Sequence, residues 1–237
     1  KDNLDSDSFV VTASDGNASV NVTIYLNFTN VNDAPTGSIS IPSSGQQGDT
    51  LNITLNNVSD VDGLGTFSYL WKRHDDASSE NFATSSAYTL VQADVGKDIT
   101  VHLSYTDAFG TPETMVSNIL TNVTNVNDAP TGTVTISSGN EKPTVGDTIT
   151  ITLNNIEDLD GLGNYSYQWY FVNDTGDDTA IQGATSEQYV VTDGDEDERV
   201  YVIVSYTDGN GTNEQLTSDI KTISDGYEVM TLIDDAN

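Results

Sequence analysis

The seven residues Val-Asn-Asp-Ala-Pro-Thr-Gly occur at 31–37 and again at 126–132. A chain that spells such a stretch twice either carries one functional word in two places or is built of repeated units. Self-alignment decides for the second. From Pro35 to Pro130 the offset is 130 − 35 = 95. "NNVSDVDGLG" at 56–65 matches "NNIEDLDGLG" at 154–163, and "FSYLW" at 67–71 matches "YSYQW" at 165–169, both at 98. "SYTDAFG" at 104–110 matches "SYTDGNG" at 205–211 at 101. Two short insertions explain the drift, so 34–128 and 129–224 are two copies of one domain.

Each copy reads as strands. Leu51, Ile53 and Leu55 alternate with polar residues, as do Ile149, Ile151 and Leu153. Ile99, Val101, Leu103 and Tyr105 are matched by Val200, Val202, Val204 and Tyr206. Period two with Thr and Val enrichment predicts half-buried antiparallel strands, and no stretch has a helical period. The expected fold is all-β: tandem immunoglobulin-like β-sandwiches, with Trp71 and Trp169 as core residues on the third strand of each copy. "YTLVQADVG" at 88–96 adds a turn pattern typical of that fold. The second copy reads "YVVTDGDED" at 189–197 and lacks its Gly, which predicts a turn built differently.

Residues 1–33 differ. "SFVVTASDGNASVNVTIYLNFTNVNDAP" from Ser8 reads as only the last two strands of a preceding domain. A lone hairpin is marginal in water, so these strands are expected to order against a preceding domain or against another chain. Residues 225–237 read as a linker or the start of a following element. Lys1 begins no signal-peptide pattern, and the chain reads as a segment of something longer.

Against 7 Lys and Arg stand 37 Asp and Glu, a formal charge of 7 − 37 = −30. Such a surface repels nucleic acid and anionic lipid and also repels itself, so it calls for salt or bound cations. With no Cys there are no disulfides and no thiolate zinc sites, and no apolar run is long enough for membrane insertion. Asn-x-Ser/Thr occurs nine times, at Asn17, Asn21, Asn27, Asn52, Asn57, Asn122, Asn164, Asn173 and Asn210. That is either a product of composition or the mark of a glycosylated surface protein.

The carboxylates fall where calcium sites can be built. Asp60 and Asp62, two apart in an expected extended loop, place both side chains on one side, roughly 6–7 Å apart. Asp158 and Asp160 repeat the arrangement, and Gly63 and Gly161 allow the tight turn. Alternate loops of a sandwich gather at one end. Asn32–Asp33 and Asn127–Asp128 would meet these loops there, with Asp107 or Asp208 from the "YTD" turns. Around the central joint the expected set is Asp60, Asp62, Asn127 and Asp128. Calcium takes six to eight oxygens of these kinds. The plain alternative is that "DVDG" and "DLDG" are ordinary acidic turns.

"VTASDGN" and "VNDAP" resemble the end of cadherin-like repeats. The order D-x-DG, Y-x-W, "YTLVQADVGK", "SYTDAFG" resembles the Ig-like extender repeats of giant secreted bacterial surface adhesins. The resemblance implies calcium at the junctions, stiffening into a rod, extracellular placement at the cell surface, and projection of an adhesive region. Its partners would be neighbouring repeats of the same chain. The cadherin joint carries a further acid where this chain has Asn30 and Asn125, and the likeness weakens after Ser224.

Enzymatic readings find little support. His74 and His102 are the only histidines, and Val172 and Ile203 take their places in the second copy. No nucleophile–His–acid motif, HExxH or phosphate-cradling loop occurs. The expected function is therefore a non-enzymatic, calcium-stiffened structural segment of a cell-surface adhesin. The alternative is a subunit of a self-assembling surface filament or surface layer, joined by β-strand exchange through residues 8–29. A carbohydrate-binding module would need an exposed aromatic platform, whereas the aromatics sit mostly on inward-facing strand positions.

Overall fold

The computed structural model describes residues 7–75, 78–173 and 177–226. The chain divides into two compact units, Lys1–Val126 and Asn127–Asn237. The first opens with an antiparallel hairpin, β1 (Asp7–Ser14) and β2 (Ser19–Leu26), exposed along its whole length.

A sandwich follows: β3 (Thr36–Ser40), β4 (Thr50–Asn52), β5 (Thr54–Ser59), β6 (Ser68–His74), β7 (Ser79–Ala83), β8 (Ala87–Thr89), β9 (Asp98–Thr106) and β10 (Pro112–Val116). One sheet runs β10-β9-β6-β7; opposite it β3 pairs β5 and β4 pairs β8. Buried residues from both sides meet in one core: Ile39 and Leu51 from one, Trp71, Ile99, Val101 and Leu103 from the other.

The second unit repeats this with β11 (Thr131–Ser138), β12 (Thr148–Glu157), β13 (Ser166–Phe171), β14 (Thr179–Ala180), β15 (Gln188–Val190), β16 (Arg199–Thr207), β17 (Asn213–Thr217) and β18 (Lys221–Thr222). Its sheets are β11-β12-β15 and β14-β13-β16-β17, with β18 on β16. β12 is the unbroken counterpart of β4 and β5, which only Ile53 separates. The expected all-β, antiparallel, immunoglobulin-like architecture is what the chain adopts.

Trp71 and Trp169 are fully buried, and each indole N–H donates to a backbone carbonyl, Ser85 at 2.8 Å and Ser186 at 2.9 Å. An indole whose one polar atom is paired contributes its whole apolar area to the core. The Gly that closes the repeated heptapeptide also has a physical reason. Gly37 (φ +87°) and Gly132 (φ +93°) sit at bulges in β3 and β11, where a Cβ would lie 2.5 and 2.4 Å from backbone oxygens of Asn57 and Asn155.

The turn before β9 is a 3₁₀ turn, Gln92–Asp94, and its counterpart is Asp193–Asp195. Both are held alike. Asp94 accepts from Tyr88 Oη and Val91 N at 2.8 Å each; Asp195 accepts from Tyr189 Oη and Thr192 N at 2.7 Å each. The expectation of a differently built second turn is thus overturned. Asp197 takes the left-handed place of Gly96, at φ +62° against +74°.

Candidate metal centres

In each sandwich three chain segments meet at one end: the acidic loop after β5 or β12, the turn after β9 or β16, and the Asn-Asp pair leading in. Gly65 and Gly163 make this approach possible, since a Cβ on either would fall 2.0 Å from the carbonyl oxygen of Thr106 or Thr207.

In the first sandwich Asp62 is 2% exposed. Its Oδ2 accepts the amide of Asp33 at 2.7 Å, and its Oδ1 has no hydrogen-bond partner. Asp107, also buried, accepts the amides of Phe109 and Thr111 on Oδ1 at 2.8 Å each, while its Oδ2 is bare. Ala108 N donates to the backbone oxygen of Asp62 at 3.2 Å, bringing the two loops together. Asn32 Nδ2 donates to Glu113 Oε1 at 2.7 Å, and Glu113 is itself buried. The Asn30 side-chain oxygen is buried and unpartnered too.

Burial disfavours the Asp107 carboxylate, yet the amide hydrogen bonds from Thr111 and Phe109 prevail and hold its pKa below the ordinary value. The Tyr105 phenol donates to Asp60 Oδ2. Its pKa is pushed far up, first by burial, then by that bond and the charges of Asp60, Glu113 and Asp107. One phenol thus feels three carboxylates, a direct sign that negative charge converges here.

The second sandwich repeats the frame with one change. Asp160 Oδ2 accepts the Asp128 amide at 2.7 Å, Asn127 Nδ2 donates to Glu214 Oε1 at 2.7 Å, and Tyr206 donates to Asp158. Asp208 Oδ1 caps Asn210 N at 2.9 Å and Thr212 N at 2.8 Å, and its Oδ2 is again bare. Here, however, Asn210 Nδ2 donates to Asp160 Oδ1 at 2.8 Å, filling the place left open on Asp62.

The arrangement differs from the sequence reading in three respects. Asp60 and Asp158 stand in turns rather than extended loops. Each spends one oxygen on the amide two residues on (2.8 Å to Asp62 N and to Asp160 N) and the other on a tyrosine, so they brace the loop. The buried carboxylates on the two loops that meet are Asp62 and Asp107 in the first sandwich and Asp160 and Asp208 in the second. The sequence grouped Asp60 and Asp62 with Asn127 and Asp128; the hydrogen bonds instead group Asp62 with Asp33 and Asp160 with Asp128. The Asp33 and Asp128 backbones, not their carboxylates, make these bonds.

Sequence reasoning passed over Glu113 and Glu214, although 214 − 113 = 101 is the offset of the "YTD" turns beside them. It noted Asn30 only as a missing acid. Among the described residues, no group of three His, Cys, Asp or Glu side chains gathers tightly enough to hold a metal ion by itself. The bare oxygens still fit a hard cation, because each is buried, anionic or carbonyl, and without a donor. Filling a shell would draw on backbone carbonyls, Asn oxygens and water as well.

His74 Nε2 lies 2.8 Å from Thr100 Oγ1, a buried hydroxyl. The His102 pKa is lowered by burial and by the charges of Lys72 and His74. Tyr170 and Tyr201, half-buried on β13 and β16, lie outside the apolar core, two exceptions to the mostly inward placement expected of the aromatics. They stack on each other at 5.2 Å rather than lying side by side as a platform.

No family model and no curated protein sequence matches the chain. Solved structures similar to it include a Ca2+-stabilized adhesin that helps an Antarctic bacterium reach out and bind ice, at 13% identity and TM-score 0.34, covering 92% of this chain and 56% of that one. A tetra-tandem repeat from the extending region of a large adhesion protein matches at 18% and 0.27, covering 93% and 57%. A two-domain fibronectin type III segment of chicken tenascin matches at 17% and 0.32, covering 80% and 99%. The chain spans a little over half the length of the two adhesion structures. With TM-scores of 0.27 to 0.34, function must be argued from the chain's own residues.

Proposed function

We propose that this chain is a non-enzymatic structural segment of an extracellular, surface-attached adhesin. In it, calcium bound at the leading end of each sandwich fastens the incoming linker. The observation carrying this reading is the pair of buried carboxylate oxygens, Asp62 Oδ1 and Asp107 Oδ2, that no protein donor reaches. Leaving buried anionic oxygens unsatisfied costs several kcal/mol, on the order of 1–3 each or more. A divalent ion bound by Asp62, Asp107 and oxygens of Asn30 and Glu113 offsets that penalty. The counterparts Asp160, Asp208 and Glu214 serve the second sandwich.

When bound, calcium supplies charge neutralisation and multidentate cross-linking. The protein's part is to hold the linker in reach: Asp33 and Asp128 by their amides, Asn32 and Asn127 by their side chains. Fastened linkers restrict how each repeat swings on the next, which is the basis for the rod. A net charge of −30 makes the same ions useful against self-repulsion.

Isothermal calorimetry at low ionic strength should show calcium uptake that Asp62→Asn and Asp160→Asn each reduce. At calcium a hundredfold above Kd the chain should gain about 2.7 kcal/mol of stability. Absence of uptake by the wild-type chain would remove the fastening mechanism and the rod with it.

A further inference from the structure

The hairpin β1–β2 has two unlike faces. Phe9↔Ile24, Val11↔Val22 and Ala13↔Val20 are directly opposed and share one face. Ser8↔Tyr25, Val10↔Thr23, Thr12↔Asn21 and Ser14↔Ser19 share the other. The first face is apolar except at its open end, where Asp7 opposes Leu26, yet Phe9 is 48% exposed and Val22 55%. Both outer strand edges are also unpaired among the described residues.

Its tip identifies what kind of hairpin it is. Asp15 Oδ1 accepts the amides of Asn17 at 2.9 Å and Ala18 at 2.7 Å. Asp107 and Asp208 cap the β9–β10 and β16–β17 turns in the same way, reaching one residue further. With Asp15 placed on Asp107, Phe9, Val11 and Ala13 fall on Val101, Leu103 and Tyr105, three residues of the buried inner face of β9. In the complete sandwich β6 pairs along the free edge of β9, and Leu51 and Trp71 share the core with that face.

We infer that β1–β2 is the closing hairpin of a third sandwich of this repeat type, and that its apolar face docks onto the other strands of that domain, encoded upstream in the same polypeptide. A second copy of this chain fits poorly as the occupant. A face of two eight-residue strands has a flat footprint of only ~250 Å², a small part of a stable interface, in which each partner buries roughly 800 Å² of accessible surface. Each copy also carries a charge of −30. An upstream partial sandwich supplies what the hairpin lacks, a strand for the edge of β1 and a second sheet for its face. This inference is independent of the cation reading, since it involves no metal.

Hydrogen exchange of residues 7–26 tests it, in the 237-residue chain and in one extended upstream by about one domain of the parent protein. In the shorter chain these amides should exchange within about tenfold of unfolded rates. In the extended chain they should slow by at least about a hundredfold, and Val11→Asp should abolish the gain while leaving β9 and β16 protected. Three results overturn the inference: protection in the shorter chain that grows with concentration, which indicates a second copy; protection there as a monomer; and no gain on extension. An upstream sequence without alternating strands overturns it as well.

Discussion

The turn after β9 carries Phe109 where the turn after β16 carries Asn210. That difference changes one hydrogen bond between two similar acidic ends, which differ also at Ala108/Gly209 and Ser59/Glu157. Beside Phe109, Asp62 keeps a bare oxygen; beside Asn210, the equivalent oxygen of Asp160 holds an amide. Elsewhere the frames agree, down to the tyrosine bracing the first Asp of each loop. A repeated scaffold can therefore keep its carboxylates in place while a neighbouring residue changes which of their oxygens is met by a donor. The opposite ends of β9 and β16 diverge as well. Asp94 is paired with Arg73, with Nη2 at 2.6 Å, and Arg73 lies 4.6 Å over the Phe82 ring, while the second copy has Phe171 in place of Arg73.

The largest test concerns what the copies share. Trp71→Ala and Trp169→Ala should each destabilise their own unit by about 3–5 kcal/mol in chemical denaturation. Losses differing by more than about half would break the equivalence of the two cores. Next comes the divergent end. Arg73→Met strands a buried carboxylate and should destabilise the first unit by about 3 kcal/mol, whereas Phe171→Leu should cost under about 1.5 kcal/mol in the second.

The acidic ends should differ measurably. Asn210→Ala frees Asp160 Oδ1 and should raise calcium affinity at the second sandwich about tenfold, equivalent to about 1.4 kcal/mol. Phe109→Asn should lower it at the first. Titration of each variant would show whether this residue sets the difference. Asp197→Gly, relieving a left-handed residue where the first copy has Gly96, should stabilise the second unit by about 1 kcal/mol.

The smallest effect at neutral pH is also the most symmetrical. Burial, and then donation to a buried carboxylate, push the Tyr88 and Tyr189 phenols up to about 12. A raised folded pKa leaves this contribution intact below the unfolded value near 10 and removes it as pH rises towards 12. Ultraviolet titration should place Tyr88 and Tyr189 among the late phenols, with one late titration lost in Tyr88→Phe and one in Tyr189→Phe.

The strands, the duplication and the buried tryptophans were legible because period-two patterning and repeated words survive without knowledge of contacts. The acidic ends were legible only as a location. Asp60 and Asp62 were placed on one side by extended geometry, but the loop turns there and Asp60 binds its own backbone. Glu113 stands opposite Tyr105 in β10 and shares its inward face, a place where a charged residue is not expected; the incoming Asn32 donates to it there. Whether a carboxylate oxygen is met or bare depends on which amide reaches it, a matter of angstroms that composition does not carry.

Asp33 and Asp128 meet their acidic loops through main-chain amides rather than side chains. Tension drawn along the chain from its N-terminal side therefore loads these clasps before it loads the ladders of β3 or β11, a few residues on. The Asn32–Glu113 and Asn127–Glu214 bonds share that load one residue earlier. Because the amide is common to every residue but proline, the clasp tolerates substitution at 33 and 128 and depends on Asp62 and Asp160. A pull from that side thus meets each sandwich at its leading edge, through hydrogen bonds accepted by one buried carboxylate.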